Sequence, residues 1–571
     1  MAETIVSPGV LAIENDQSQI TQLPVEAGAA IVGPTVKGKV GIPTICTTYS
    51  DYSNKYGSTF ESGSQTFTYL TSISAYNYFQ NGGTSLLVTR VVSGSFTPAT
   101  SSIIQNIHTS SSLILETLTE GEIANSDGTL NANGTLVNGT SDNIRWQVTN
   151  RNINEGTFEL VVRRGDDTTL SPSRLETWSN LSLDPYSSNY VEKVIGNQTE
   201  VISSDAGEFY VKMQGEYANN SRYIRVKSIN TTTPEYFDNN GDPKPQFTGS
   251  LPITSSGAFG SAIGSNISTT TGKYYENISN DNIQGLQATD YADSISLLGN
   301  KEAYRYNLLT TPGLISDFGL HSTTITNTIN TCQNRGDAMA VIDLVRYGSN
   351  LTTVTTQAKT YDTSYAAAYW PWVQTIDPNT ARQVWVPAST LIPGIYAFND
   401  RIAAPWFAPA GQNRGIMSTA IRAERYLTQG NRDTLYENKI NGIVTFPNTG
   451  VTVFGQKTLQ KKKTALDRIN VRRLLIELKG FISQVADTLV FEQNNVTTRN
   501  TFLSQVNPYL NSVQNQQGLT EFKVIMDESN NTPTTIDNNQ LIGQIYLQPV
   551  RSAEFIILDF NVLPTGATFP S

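Results

Sequence analysis

The sequence predicts an α+β multidomain protein with an α/β core, one or two β-rich insertion domains and a small C-terminal α/β domain. Three observations carry this. The chain has 571 residues, more than one hydrophobic core organises and suited to roughly three or four domains. Its texture changes twice: apolar strand–helix alternation over 23–95 and 285–430 brackets a Ser/Thr/Asn/Gly-rich stretch at 96–284. Finally, only 15% of residues are charged, against a usual ~25%. The polar surface comes from Ser, Thr, Asn and Gln instead, which suits loop-rich β domains and faces that an assembly buries.

In chain order, residues 1–22 read as an arm, with a Ser7-Pro8-Gly9-Val10 turn and a strand over Val10, Leu11, Ala12, Ile13 and Glu14. Ala29–Gly33 is an apolar run that reads as a buried strand. Ser50–Gly57 reads as a helical turn closed by Gly57. Over Thr66–Gln80, the residues Tyr69, Leu70, Ile73, Tyr76 and Phe79 recur at helical spacing. Asn81-Gly82-Gly83 ends that helix because glycine tolerates positive φ, and Leu86–Val92 follows as a central strand. Short β-like runs such as Phe158–Arg163 and Phe209–Met213 fill the insertion, with turn signals such as Asn239-Asn240-Gly241. The α/β texture returns with a helix over Ser322–Arg335 and a strand over Ala338–Leu344. Trp370, Trp372, Trp385 and Trp406 follow and are expected in core packing.

The C-terminal domain is expected over 431–571, with strands Ile443–Phe446 and Thr452–Phe454 and the chain's longest helical pattern at Thr464–Phe491. Val471, Leu474, Leu475, Leu478, Ile482, Val485 and Leu489 form its apolar face. The segment Gly455–Gly480 carries net charge +6, leaving −16 for the remainder of a chain whose total is −10. Arg468, Arg472 and Lys479 fall within about 40° of one another on a helix, forming a basic stripe beside the apolar face. The last fifty residues order as strand (Phe522–Met526), polar loop or short helix, strand (Gln544–Gln548), turn, strand (Ala553–Phe560).

An overall acidic balance, with pI about 5.0, argues against general nucleic-acid binding. Cys46 and Cys332 are too few for a disulfide framework and are expected reduced and buried. No leader peptide is expected from MAETIVSPGV, and no run reaches the ~18 apolar residues of a membrane span. Gly33–Val40 approaches a phosphate-binding loop, but Val40 stands where a magnesium-holding Ser or Thr is needed. Asp238, Asn240 and Asp242 have calcium-loop spacing with the glycine misplaced at Gly241 and no closing Glu, and read as a polar turn. His108 and His321 are far apart, and no Cys/His group has zinc spacing.

Two strings carry a family resemblance: FKVIMDESNNTPTTIDNNQLIGQIYLQPVRSAEFIILDF over Phe522–Phe560, and FQNGGTSLLVTRVV over Phe79–Val92. With the Ser-Pro-Gly-Val turn and the αβ unit ending at Leu344, the chain resembles contractile phage (myovirus-type) tail sheath proteins over roughly two thirds of its length. The resemblance implies a non-enzymatic structural subunit without cofactors, assembled in the host cytoplasm as a helical stack of hexameric rings in the virion tail. It implies contact with the tail tube protein and with baseplate and terminator proteins, and neither nucleic-acid contact nor membrane insertion. It implies a strand-donating arm (1–22), a core (23–95 plus 285–430), an outward-facing insertion (96–284) and a tube-facing strand-exchange domain (431–571). Lys461, Lys462, Lys463, Arg468 and Arg472 would face the tube. Val10–Glu14 at one end, and Glu554, Phe555, Ile556, Ile557, Leu558, Asp559 and Phe560 at the other, would add strands to neighbouring subunits. The alternatives are the sheath of a non-phage contractile injection system, or a β-rich adhesin or glycan-binding protein.

Overall fold

A computed structural model of the chain describes residues 28–62, 65–265 and 278–555. The expected arm, with Val10–Glu14, and the end of the chain from Ile556 onward lie outside the described residues.

The core is built on an eight-stranded sheet in the order Thr44–Cys46, Leu86–Arg90, Ala29–Gly33, Leu308–Ile315, Met339–Asp343, Ala366–Trp370, Asn441–Phe446, Gly450–Phe454. The six inner strands pair in parallel, and the two edge strands pair antiparallel. Helices on both faces explain why the inner strands read as unbroken apolar runs. Strand alternation divides their side chains between two layers. Ala340 and Ile342 pack with Ile325, Ile329 and Cys332 of the helix Gly319–Arg335. Met339 and Val341 point the other way, to Leu70 and Ile73 of the helix Leu70–Gln80 and to Ile392 and Ile395 of the helix Ile392–Ile402. The Leu70–Gln80 helix ends at Asn81, and Gly82 follows at φ 96°, where a Cβ would strike the Arg401 side chain at 2.7 Å. Both cysteines are buried and free.

Residues 98–260 form a single antiparallel sheet of eight strands over one apolar core that includes Trp146, Phe158, Leu160 and Phe259. The insertion is therefore one β domain with a side hairpin, Thr199–Asp205 with Glu208–Gln214. Ile278 and Ile283 already pack in the core layers, so the return to the core precedes the expected 285. The insertion is held to the core by Arg90, which is 2% exposed and donates to the carbonyls of Gly38 (2.6 Å) and Glu120 (2.8 Å). Lys37–Asp142 (3.0 Å) and Lys39–Glu200 (2.6 Å) add ion pairs across the same seam.

Two expectations about the C-terminal region are corrected. Asn441–Phe446 and Gly450–Phe454 complete the core sheet through the parallel pairing Tyr369↔Asn441, rather than opening a separate domain at 431. The long helix begins later than Thr464: a short turn at Ala465–Asp467 precedes the helix Ile469–Asp487, so Lys461 is not helical. A second helix, Val496–Asn515, had no counterpart in the sequence reading; it contains Pro508 and is capped by the Asn495 side chain accepting from the Thr498 N–H. The four tryptophans do not form one group. Trp370 and Trp372 lie in opposite core layers, Trp385 packs beside Tyr347, and Trp406 meets the C-terminal helices.

Candidate subunit-interface site

The C-terminal domain packs the helices Ile469–Asp487 and Val496–Asn515 under a hairpin of Leu519–Ile525 and Gln544–Pro549. Alternation sets the hairpin's two faces. Phe522, Val524, Ile545 and Leu547 turn toward Leu474, Leu478, Phe502, Val506 and Leu510, while Glu521, Lys523, Gln544, Tyr546 and Gln548 are exposed. Phe522 pairs with Leu547 and Val524 with Ile545. The connecting loop is closed by Asn531, 2% exposed, whose amide exchanges two hydrogen bonds with Ile542 (2.8 and 2.9 Å). Among the described residues this sheet has two strands, so both outer edges present backbone donors and acceptors with no strand beside them. A lone two-stranded sheet is marginal in water, and here the helices beneath supply its support.

The basic segment divides into an outer and an inner part. Lys461, Lys462 and Lys463 are exposed, and no ion pair of their ammonium groups is found among the described residues. Arg472, expected to face the tube, lies inside the subunit instead. It is 4% exposed, with its guanidinium 4.0 Å from the Tyr365 ring centre and bonded to the Ser364 hydroxyl. Burial lowers its pKa against the attraction of Tyr365. Arg473 is also inside, paired with Asp400 and stacked 4.7 Å from the Tyr396 ring centre. Lys479 alone of the expected stripe is exposed.

Arg468 is the N-cap residue of the long helix, and its guanidinium meets Glu554 in a two-point pair, Nε–Oε1 2.6 Å and Nη2–Oε2 2.9 Å. The Tyr436 hydroxyl donates to Glu554 Oε2 at 2.7 Å and Gln456 Nε2 donates to Oε1 at 3.0 Å. Burial pushes the Glu554 carboxyl up, but the hydrogen bonds from Arg468 and Tyr436 outweigh it and hold the group below its usual range. The Tyr436 hydroxyl is pushed up to about 12, by burial first and then by Glu554. Asp467 backs Arg468 at 2.7 Å and faces Lys457 at 3.4 Å. Lys457 is pushed down to about 8 by burial, with the Arg468 charge adding to the effect. Two residues expected in different contacts, Arg468 at a tube and Glu554 in an exchanged strand, thus bind one another. Nothing at 468 or 554 announces this pairing in sequence, because the partners lie 86 residues apart.

The seeming phosphate loop is a turn between two strands of the core sheet that lies at the seam with the insertion, its Gly38 carbonyl taken by Arg90. The Asp238 side chain accepts from the N–H groups of Asn240 and Asp242, so the calcium-like spacing is a self-bonded turn. No cluster of three metal-ligating side chains occurs among the described residues. Among those residues no helix is long and apolar enough to cross a membrane.

Parts of the chain are similar to known proteins. Residues 281–459 match the phage tail sheath protein central domain and residues 461–563 the phage tail sheath C-terminal domain. The chain is 38% identical over 207 residues to the tail sheath protein of Vibrio phage KVP40, covering 36% of this chain and 31% of that one. It is 37% identical over 185 residues to the tail sheath protein of Enterobacteria phage T4, covering 32% and 28%. The matched stretch thus spans about a third of the length of these curated relatives. A crystal structure of the sheath tail protein of Listeria innocua shares the fold, with TM-score 0.55 at 11% identity, over 93% of this chain and 94% of that one. Within residues 281–563 the chain thus carries the central and C-terminal domains of phage tail sheath proteins.

Proposed function

We propose that the chain is the structural subunit of a contractile tail sheath, polymerising as stacked hexameric rings around a tail tube. Its contraction drives the tube through the host envelope. The observation that carries this is the two-stranded sheet Leu519–Ile525/Gln544–Pro549 with both edges open among the described residues. A strand from a neighbour adds to such an edge through backbone hydrogen bonds, which do not depend on side-chain fit. Subunits joined this way stay connected while rigid bodies rotate against one another. The donors are Val10–Glu14 and the end of the chain up to Phe560. Lys461, Lys462 and Lys463, exposed and without ion pairs among the described residues, face an acidic tube. Each exposed pair contributes about 0–1 kcal/mol, suited to a contact that holds and then releases. The subunit acts without catalysis or cofactor, is assembled in the host cytoplasm, and meets the tail tube protein, baseplate and tail terminator proteins. The domains of this reading are the arm 1–22, the core, the outward-facing insertion and the tube-facing strand-exchange domain, with 441–454 assigned to the core rather than to the last of these.

The test is negative-stain electron microscopy of the chain expressed alone. Hollow striated six-fold tubes are expected. Dispersed monomers that stay dispersed when tube protein is added would sink the reading.

A further inference from the structure

We propose that Glu554 is the fixed end of the donated C-terminal strand: Arg468, Tyr436 and Gln456 hold its carboxylate on the subunit's own core, so the segment that crosses to a neighbour begins after it. This rests on the strand-donation reading and assigns Glu554 and Arg468 a positioning role that differs from exchange or tube contact.

A strand that leaves its own subunit transmits force along its backbone. Pulling would act directly on the hairpin strand Gln544–Pro549, which ends five residues before Glu554 and pairs on one side only among the described residues. A sheet of two strands resists peeling poorly. The Glu554 carboxylate bypasses it. Its four hydrogen bonds use the acceptor capacity of both oxygens. They are charge-assisted, and the Arg468 pair is two-point, the strongest and most directional arrangement for a carboxylate. The holders come from two core elements and from the start of the long helix. Tyr436 is on the helix Gln429–Glu437, Gln456 follows the edge strand Gly450–Phe454, and Arg468 begins the long helix. Force at Glu554 therefore passes into the eight-stranded sheet. The Glu554 side chain is 18% exposed, and the next residue, Phe555, is 75% exposed with its ring edge-on to Tyr436 at 5.8 Å, so the last described residues lie at the rim of this cluster.

The test compares the full chain with Glu554→Gln, Glu554→Asp and a truncation lacking residues 556–571. Tube formation is read by electron microscopy, tube resistance by the urea concentration that disperses tubes, and subunit folding by thermal melting. Glu554→Gln keeps the side-chain shape and loses the charge. We expect its melting to match wild type, the polymerised fraction at intermediate urea to fall about tenfold, and tube resistance to lose its dependence on salt. Glu554→Asp should lie between the two. The truncation should fold and form no tubes. Tubes from the truncated chain would overturn strand donation and the anchor with it. A truncation without tubes beside a Glu554→Gln variant as resistant and salt-sensitive as wild type would overturn the anchor alone.

Discussion

The core sheet and the C-terminal sheet solve opposite problems. The core has eight strands, six of them parallel and buried on both faces, with antiparallel strands closing the edges. Its stability is internal. The C-terminal sheet has two strands among the described residues, one face on helices and both edges open. Among the described residues, then, one sheet has closed edges and the other has open ones. A finished sheet gives a rigid body, and an unfinished one gives a place where another chain can complete it.

The comparison breaks most clearly by cutting into the core. Ile342→Ala, in a central strand and 2% exposed, should cost about 2–5 kcal/mol and lower the melting temperature of the isolated subunit. Phe522→Ala on the half-buried hairpin should cost clearly less in melting yet impair tube formation. Equal melting losses would mean that the two sheets are equally self-sufficient.

A smaller effect concerns Asp343, buried at the end of a central strand with the Ser389 N–H (3.1 Å) and hydroxyl donating to its carboxylate. Burial raises its pKa from 3.8 to about 7, against those hydrogen bonds. The folded pKa is the higher one, so folding takes up a proton. This group's contribution is full below about pH 4 and is lost as pH rises through about 7. Asp343→Asn should therefore flatten the fall in stability between about pH 4 and 7, an effect on the order of a few kcal/mol at most. Thermal melts across that range check it. An unchanged pH slope would mean that Asp343 is already paired in another way.

The smallest effect is at the surface. Reversing Lys461, Lys462 and Lys463 to Glu should leave melting unchanged and weaken assembly onto tube protein by about 0–1 kcal/mol per pair, less at high salt. Unchanged cosedimentation with tubes at low salt would remove these lysines from the interface.

Much of the core was legible because period-two and period-3.6 patterns are local. Ala29–Gly33, Leu86–Arg90 and Met339–Asp343 are strands where apolar runs required them, and Asn81-Gly82 stops a helix as its chemistry demands. The helix Val496–Asn515 was not, because Pro508 and a polar composition masked Phe502, Val506, Leu510 and Val513 at helical spacing. The Asn495 cap before that run was the available signal. The hairpin strands at Phe522 and Gln544 were read within a few residues of their observed ends.

By itself the sequence determined the class of protein, the alternation of core elements and the position of the insertion, since each is written in neighbouring residues or in recognisable strings. Only the tertiary structure decided that 441–454 finishes the core sheet, that Arg472 is stacked on Tyr365 rather than exposed, and that Arg468 closes on Glu554. The physical reason is common to all three. Strand pairing, burial of a charge and salt-bridge choice depend on which distant segments fold against one another, and helical or strand periodicity carries no record of that.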